Sequence, residues 1–394
     1  ALVDMYVKCG LLLTALKVFD KLTVRGVVPW TAIISGYVKY GYDMEALKLY
    51  QKMQVEHISP NTITYIFVLK ACSRTGAVQK GQQIHINIEI QGLLKTDIAI
   101  GNSLVGMYAN LGCFDIAQHV FDKLQVRDEV SWATLISGFV ENGYPEAALG
   151  YFEDMKVECI TPDAFTLTSV LKACSSIGSI LTGYQLHAEI SLKGFAEDDA
   201  FIGSALVYMY ATCLSLLEAR EVFDKLHTKT MVSWNALMTG YMDHGDGERV
   251  LDCFHQMQRE GISPDAITLV CILKTCGNTG AALEGYTIHQ KIIQKAILES
   301  YDFIGSSLVD MYANCGMLEE AQNVFDKLLV KLTVTWNVLI AGYVEHGFCL
   351  EAFNCLKKMQ QDGILPTPVT FVCILRSCEN PDKGCEMHAI ITKY

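Results

Sequence analysis

VVPWTAIISGYV (residues 27–38), EVSWATLISGFV (129–140), MVSWNALMTGYM (231–242) and TVTWNVLIAGYV (333–344) are one phrase written four times. Their tryptophans, Trp30, Trp132, Trp234 and Trp336, are 102 residues apart with no slippage. Other markers keep the same period. Cys72, Cys174, Cys276 and Cys378 close LKAC, LKAC, LKTC and LRSC, and VFDKL begins at Val18, Val120, Val222 and Val324. Repetition this regular signals an array of like structural units, each packed on its neighbours.

Each period divides into subunits of 35, 36 and 31 residues: 27–61, 62–97 and 98–128, then 129–163, 164–199 and 200–230, then 231–265, 266–301 and 302–332. A further 35-residue subunit occupies 333–367, with partial subunits at 1–26 and 368–394. Within 27–61, Trp30, Ile33, Ile34 and Tyr37 have the spacing of a helix that stops at Gly41. Ala46, Leu47, Tyr50 and Met53 repeat that spacing in a second helix ending before Ile58-Ser59-Pro60. Glycine supplies a left-handed stop and proline bars continuation. Ala46 recurs as Ala148, Ala219, Ala321 and Ala352, small residues where helices must approach closely. No strand alternation appears. One pair of short helices cannot bury its apolar face alone, but stacked pairs can. The expected fold is all-α: a right-handed α-solenoid (superhelix) of antiparallel helical hairpin repeats.

Composition agrees. Hydrophobic residues make up 51% and charged residues 19% of 394, so the chain has ample surface to bury and is not disordered. No run approaches the 18 or so apolar residues of a membrane span. The opening residues, ALVDMYVKCG, lack a signal or transit composition and read as mid-element sequence, so the chain is expected to begin inside a larger protein. Fifteen cysteines, an odd number with no CxxC pair, do not suit a disulfide scaffold and fit a reducing compartment. Their phased recurrence (Cys9, Cys213 and Cys315 in one phase, Cys72, Cys174, Cys276 and Cys378 in another) reads as buried thiols on helices rather than metal ligands.

The residues also carry a family resemblance. WNALMTGYMDHGDGERVLDCFHQMQREGISPD (234–265) resembles the 35-residue pentatricopeptide motif along its length. LTSVLKACSSIGSILTGYQLHAEISLKGF (167–195) and GSSLVDMYANCGMLEEAQNVFDKL (305–328) resemble the long and short variants of the plant PLS class. The Trp, Leu-Gly, Tyr signature of tetratricopeptide repeats is missing. The resemblance covers essentially the whole chain in P–L–S order. It implies a binder of single-stranded RNA acting on organellar transcripts in mitochondria or chloroplasts, for RNA processing or C-to-U editing. No cofactor is implied, any deaminase would lie in another domain, and editing or processing partners would act in trans.

Such repeats read one base each with two or three side chains. By resemblance, the fifth and last residues of each subunit meet the base edge. These are Thr31/Asn61, Asn102/Asp128, Ala133/Asp163, Ser204/Thr230, Asn235/Asp265, Ser306/Leu332 and Asn337/Thr367 in the 35- and 31-residue subunits. The resemblance implies adenine for Thr31/Asn61, uracil for Asn102/Asp128 and Asn235/Asp265, and a pyrimidine for Asn337/Thr367. Among the 36-residue subunits only Thr168/Asp199 looks like a code pair, nominally for guanine, whereas Ile66/Asp97 and Val270/Tyr301 do not. Ala133 and Leu332 lack the polar atom their places call for, so patchy specificity is expected. A lone Asn or Thr near a helix start could equally be an N-cap.

The second residue of each subunit would wedge between bases: Val28, Ile63, Ala99, Val130, Phe165, Phe201, Val232, Ile267, Phe303, Val334 and Val369. Packing between repeats would explain the same apolar pattern. At the thirteenth position, where the family places a phosphate-facing Lys, only Lys8, Lys39 and Arg74 are basic. The net charge of −12 also opposes phosphate binding. Weak, salt-sensitive binding concentrated toward the N-terminus is the expectation. The alternative is a protein-interaction scaffold whose acidic groove recruits a basic partner, and array ends without capping repeats raise self-association as an expectation.

One constellation imitates an active site. His187-Ala188-Glu189 matches the HxE of zinc deaminases, but no PCxxC follows to complete the metal site. The histidine recurs in phase as His85, His289 and His388 while Glu189 is replaced by Asn87, Lys291 and Ile390, which reads as a repeat-core residue. No enzyme is expected.

Overall fold

The computed structural model describes residues 2–192, 194, 199–294 and 302–376. His388 and Cys378 lie outside these residues. The described chain is helical, with no strand among the described residues. Helices begin at Val27, Thr62, Ile98, Glu129, Ala164, Ala200, Met231, Ala266, Asp302, Thr333 and Pro368, and from the first to the tenth of these a second helix follows after a short turn. The second helices have 13 residues in the longer subunits, as in Asp43–Val55, and 10 in the short ones, as in Phe114–Lys123. The first helix Val27–Lys39 gives way to Gly41 at φ 83°, the left-handed geometry that glycine tolerates.

Two compact units form, Ala1–Met209 and Tyr210–Tyr394. Within each, a first helix packs on its own second helix and on the first helix of the following subunit. The fold is therefore an α-solenoid of antiparallel hairpins, held by interactions between nearest neighbours.

In the first unit, Trp30 is buried edge-on against Phe19 (centroids 4.6 Å apart) and Trp132 against Phe121 (4.8 Å). In the second, Trp234 meets Phe223 and Trp336 meets Phe325, both at 4.5 Å. Each pair joins the VFDKL phrase of one subunit to the tryptophan phrase of the next, and edge-to-face geometry suits the ring quadrupoles. A cation caps every one of these phenylalanines: Arg25, Arg127, Lys229 and Lys331 lie 5.0–5.2 Å from the ring centres. Ala46, Ala148, Ala219, Ala321 and Ala352 are fully buried. Gly138 lies so close to Ala109 that an added Cβ would collide with the alanine methyl.

The cysteines divide by phase. Cys72, Cys174 and Cys276 are buried, and burial pushes the Cys72 thiol up to about 11 and the Cys276 thiol to about 12, so these stay protonated. The expectation that the other phase is buried needs correction: Cys9 is exposed and Cys213 and Cys315 are half-buried, because these residues fall in the turn after the first helix.

Candidate nucleic-acid interface

Position two of each first helix sets the character of the exposed face. Val28, Ile63, Val130, Phe165, Phe201, Val232, Ile267, Phe303, Val334 and Val369 leave between 46 and 81% of their surface in solvent, and Ala99 is exposed too. Packing between repeats would bury side chains at this spacing, and about half or more of the surface of each stays in solvent. An exposed apolar side chain thus recurs once per subunit at the start of the first helix.

Behind this row, polar side chains meet across subunit junctions. At several junctions the last residue of a subunit is the N-cap of the next helix. The side chains of Asn61, Asp128, Asp163, Thr230 and Asp265 accept from the backbone N–H of Thr64, Ser131, Thr166, Ser233 and Thr268 at 2.8–3.2 Å. Capping is thus real for these residues. At several junctions it also holds the cap beside the fifth residue of the preceding first helix. Asn235 Nδ2 donates to both oxygens of Asp265, at 3.1 and 3.2 Å. Asn102 Nδ2 donates to Asp128 at 3.3 Å, and Asn337 Nδ2 to the Thr367 hydroxyl at 3.2 Å. Thr31 Oγ1 lies 3.3 Å from Asn61 Oδ1 and donates to the Val27 carbonyl at 2.9 Å.

A third residue completes these junctions, one that the repeat phrases alone do not single out. The third residue of the following subunit is a fully buried hydroxyl: Thr64, Ser131, Thr268, Thr335 or Thr370. Ser131 Oγ donates to Asn102 Oδ1 at 2.7 Å, Thr268 Oγ1 to Asn235 Oδ1 at 2.6 Å, and Thr370 Oγ1 to Asn337 Oδ1 at 2.5 Å. Thr64 Oγ1 and Thr31 Oγ1 are 2.7 Å apart, and Ser306 and Thr335 hydroxyls 2.6 Å. The asparagine amide is therefore held at its oxygen by the hydroxyl and at its nitrogen by the cap. The available signal was a hydroxyl residue three places after each cap, the spacing of a capping box.

Other places differ. Ala133 is buried and its side chain has nothing to donate or accept, and Leu332 leaves Ser306 to pair with Thr335 alone. Thr168 donates to the Phe165 carbonyl of its own helix at 2.9 Å, while Asp199 caps Phe201 at 2.8 Å. Ser204 donates to the Ala200 carbonyl and Thr230 caps Ser233.

Charge is distributed unevenly. Burial resists ionisation of Asp128 and Asp265, yet hydrogen bonds from Ser131 and Asn102, and from Thr268 and Asn235, outweigh it and hold both carboxyls below the ordinary aspartate value. Each is an anion at neutral pH. Among the three thirteenth-position cations, Lys8 pairs with Asp4 at 2.9 Å, and Arg74 donates to the Val38 carbonyl at 3.0 Å with Asp43 at 3.6 Å. Lys39 is exposed without an ion pair among the described residues. The first helices carry Lys8, Lys39, Lys70, Arg74, Lys172, Lys274 and Arg376 against Asp4, Glu129, Glu141, Asp243, Asp302, Asp310 and Glu345. The first helices are thus balanced in charge, and the capping carboxylates Asp128 and Asp265 add negative charge beside the fifth-position residues.

A cleft of about 640 Å³ shows one complete site. Ala99 and Val130 stand on it as successive second-position residues, Asn102 and Asp128 as the pair between them, and Lys70, Ser73, Ser103, Asn110 and Thr134 add further polar lining. No group of three or more His, Cys, Asp or Glu side chains among the described residues could hold a metal ion. His85 and His289 are held below the usual histidine value by burial and bond the Tyr108 and Tyr312 hydroxyls at 3.1 and 2.9 Å, as core residues do.

Fold and site together define a helical-repeat binding array: stacked hairpins presenting, on their first helices, exposed apolar residues alternating with clamped polar pairs. The chain belongs to the pentatricopeptide repeat family. It matches the PPR repeat family over residues 25–74, 127–176, 229–278 and 331–380, and the PPR repeat over 1–27 and 306–331. Pentatricopeptide repeat-containing protein At4g18520 of Arabidopsis thaliana, named as chloroplastic, is 35% identical over 378 residues, covering 96% of this chain and 61% of its own length. At2g03380 of the same plant, named as mitochondrial, is 32% identical over 378 residues, covering 96% and 54%. The chain thus spans little more than half the length of these relatives. PPR10, solved in complex with an 18-nt psaJ RNA element, shares the fold with a TM-score of 0.77 at 18% identity over 95% of this chain and 56% of that one.

Proposed function

We propose that the chain is a sequence-selective binder of single-stranded RNA, one base per repeat. The carrying observation is an exposed apolar side chain at the second position of each first helix together with a hydrogen-bonded fifth/last pair at four junctions, Thr31/Asn61, Asn102/Asp128, Asn235/Asp265 and Asn337/Thr367. Stacking surfaces for unstacked bases and fixed polar groups at their edges are the two things single-strand readout needs.

The clamped amides favour particular bases. At Asn235/Asp265 the Asn235 amide N–H group suits a base carbonyl, and the Asp265 carboxylate suits a ring N–H. Uracil offers a carbonyl next to a ring N–H, whereas cytosine has no ring N–H there. Asn102/Asp128 has the same arrangement. Thr367 replaces the carboxylate with a hydroxyl that both donates and accepts, consistent with either pyrimidine at Asn337/Thr367. Asn61, its oxygen engaged by Thr64, keeps its N–H groups for the ring nitrogen of adenine.

In this reading the array is of the PLS class, with triplets at 27–128, 129–230 and 231–332, a P repeat at 333–367 and partial repeats at 1–26 and 368–394. It would deliver RNA-processing or C-to-U editing activity to an organellar transcript. The chloroplastic and mitochondrial names of relatives support either organelle. A mobility-shift selection from randomised single-stranded RNA, at low and high salt, tests the reading. Enrichment of uracil at two positions separated by four repeats is expected. Binding without sequence preference at any salt would mean a scaffold instead. As a sharper check, Asn235→Thr with Asp265 retained should move the preference at one position from uracil toward guanine.

A further inference from the structure

The ninth residue of every 36-residue subunit is basic: Lys70, Lys172, Lys274 and, in the last one, Arg376. Elsewhere the ninth residue is small or variable, Ser35, Ser137, Thr239 and Ala341 in the 35-residue subunits and Gly106, Tyr208 and Asp310 in the short ones. The cations fall in the subunits least able to read a base. Ile66 and Val270 have no polar side-chain atom, and the Thr168 hydroxyl is spent on its own helix.

These cations are conspicuous in otherwise uncharged segments. Lys172 is the only charged residue of Ala164–Ile177, and Lys274 of Ala266–Thr279. Residues five, nine and thirteen follow one another at single-turn spacing along one stripe of a helix, so each cation shares the face of the fifth residue. Lys70, Lys172 and Lys274 are exposed, and none makes an ion pair among the described residues. Lys70 lines the same cleft as Ala99, Asn102, Asp128 and Val130. Lys274 is the most compensated, because it faces the half-buried carboxyl of Asp310. The capping carboxylates Asp128 and Asp265 repel phosphate, so a strand in this cleft needs a cation nearby to hold it.

We propose that the 36-residue subunits act as phosphate clamps: Lys70, Lys172 and Lys274 bind the backbone of the strand, one cation per three repeats, while neighbouring subunits read its bases. The proposal rests on the RNA reading above. It assigns these subunits sequence-independent affinity in place of specificity.

The test measures fluorescence anisotropy of the whole chain with the best RNA from the selection and with a mismatched RNA, over a range of KCl concentrations. Variants are Lys70→Gln, Lys172→Gln, Lys274→Gln, the triple variant, the Lys→Arg counterparts, and Lys48→Gln on a second helix as control. Removing one lysine–phosphate interaction should flatten the log–log salt dependence by about 0.7 and weaken binding about fivefold near 0.1 M salt. Lys70 and Lys172 should matter most and Lys274 least. The ratio between matched and mismatched RNA should stay the same, Arg should restore the slope, and Lys48→Gln should change nothing. An unchanged slope in the triple variant, or a loss of discrimination in place of affinity, overturns the clamp and leaves the RNA reading standing. If the unsubstituted chain binds no RNA at any salt, the RNA reading itself fails and the clamp falls with it.

Discussion

Subunits 129–163 and 231–265 are built alike and differ where it counts. In both, the last residue is an aspartate that caps the next helix: Asp163 accepts from Thr166 N–H at 2.8 Å and its hydroxyl at 2.6 Å, and Asp265 accepts from Thr268 N–H at 2.8 Å. The fifth residue is Ala133 in one and Asn235 in the other. Only Asn235 reaches the cap and presents a clamped amide. The aspartate caps a helix at both places and, in the reading proposed above, would also read a base only where its partner is polar, so capping and base reading need not compete as explanations.

If the two subunits differ only at this place, their packing should respond identically. Gly138→Ala and Gly240→Ala both push a Cβ into an alanine of the preceding helix, Ala109 and Ala211, which cannot swing aside. Each should destabilise by about 2–3 kcal/mol in denaturant unfolding. Gly183→Ala, which meets only the flexible side chain of Met209, should cost clearly less. A large difference between the two alanine-facing sites would break the comparison.

Removing the caps separates the two duties. Asp163→Ala and Asp265→Ala should each lose about 1–2 kcal/mol of stability, while only Asp265→Ala reduces the preference for uracil. The pH dependence follows the depressed carboxyl of Asp265. Its stabilising contribution is present above the unfolded aspartate pKa, about 3.9, and disappears as pH falls through the lower folded value. Asn235→Ala removes one of the bonds that lowers that value, so acid unfolding should begin at higher pH than in the unsubstituted chain.

The converse change tests sufficiency. Ala133→Asn introduces an amide at the place that pairs with Asp163 and should create a uracil preference at that position of about tenfold, or roughly 1.4 kcal/mol, read in the same RNA selection. The smallest effect lies at the end of the second helix, where Cys159 has φ 57° and its counterpart Gly261 has φ 76°. Cys159→Gly should stabilise by about 0.5–1 kcal/mol in thermal unfolding, since glycine adopts the left-handed region without strain.

Much of this was legible in the sequence because it is local or periodic. The tryptophan phrase set the repeat, the spacing of Trp30, Ile33, Ile34 and Tyr37 defined a helix and its buried face, and the phased histidines argued against HxE chemistry. The spacing of apolar and turn residues determines helices and their inward faces through short-range sterics and burial alone. The third-position hydroxyls were visible as residues but not as partners, since Thr268 reaches Asn235 only after 33 residues of chain have folded back.

Tertiary structure decided everything that depends on how a helix meets its neighbour. It left Val28 and Phe201 in water, where their apolar character allowed burial, and it put Cys9 at the surface. It occupied Arg74 with the Val38 carbonyl and Lys8 with Asp4, while Lys70 and Lys172 stand on the first-helix face without an ion pair among the described residues. Composition counts charges and apolar groups without locating them, and only the stacking of one hairpin on the next determines which become surface, which become partners and which are covered.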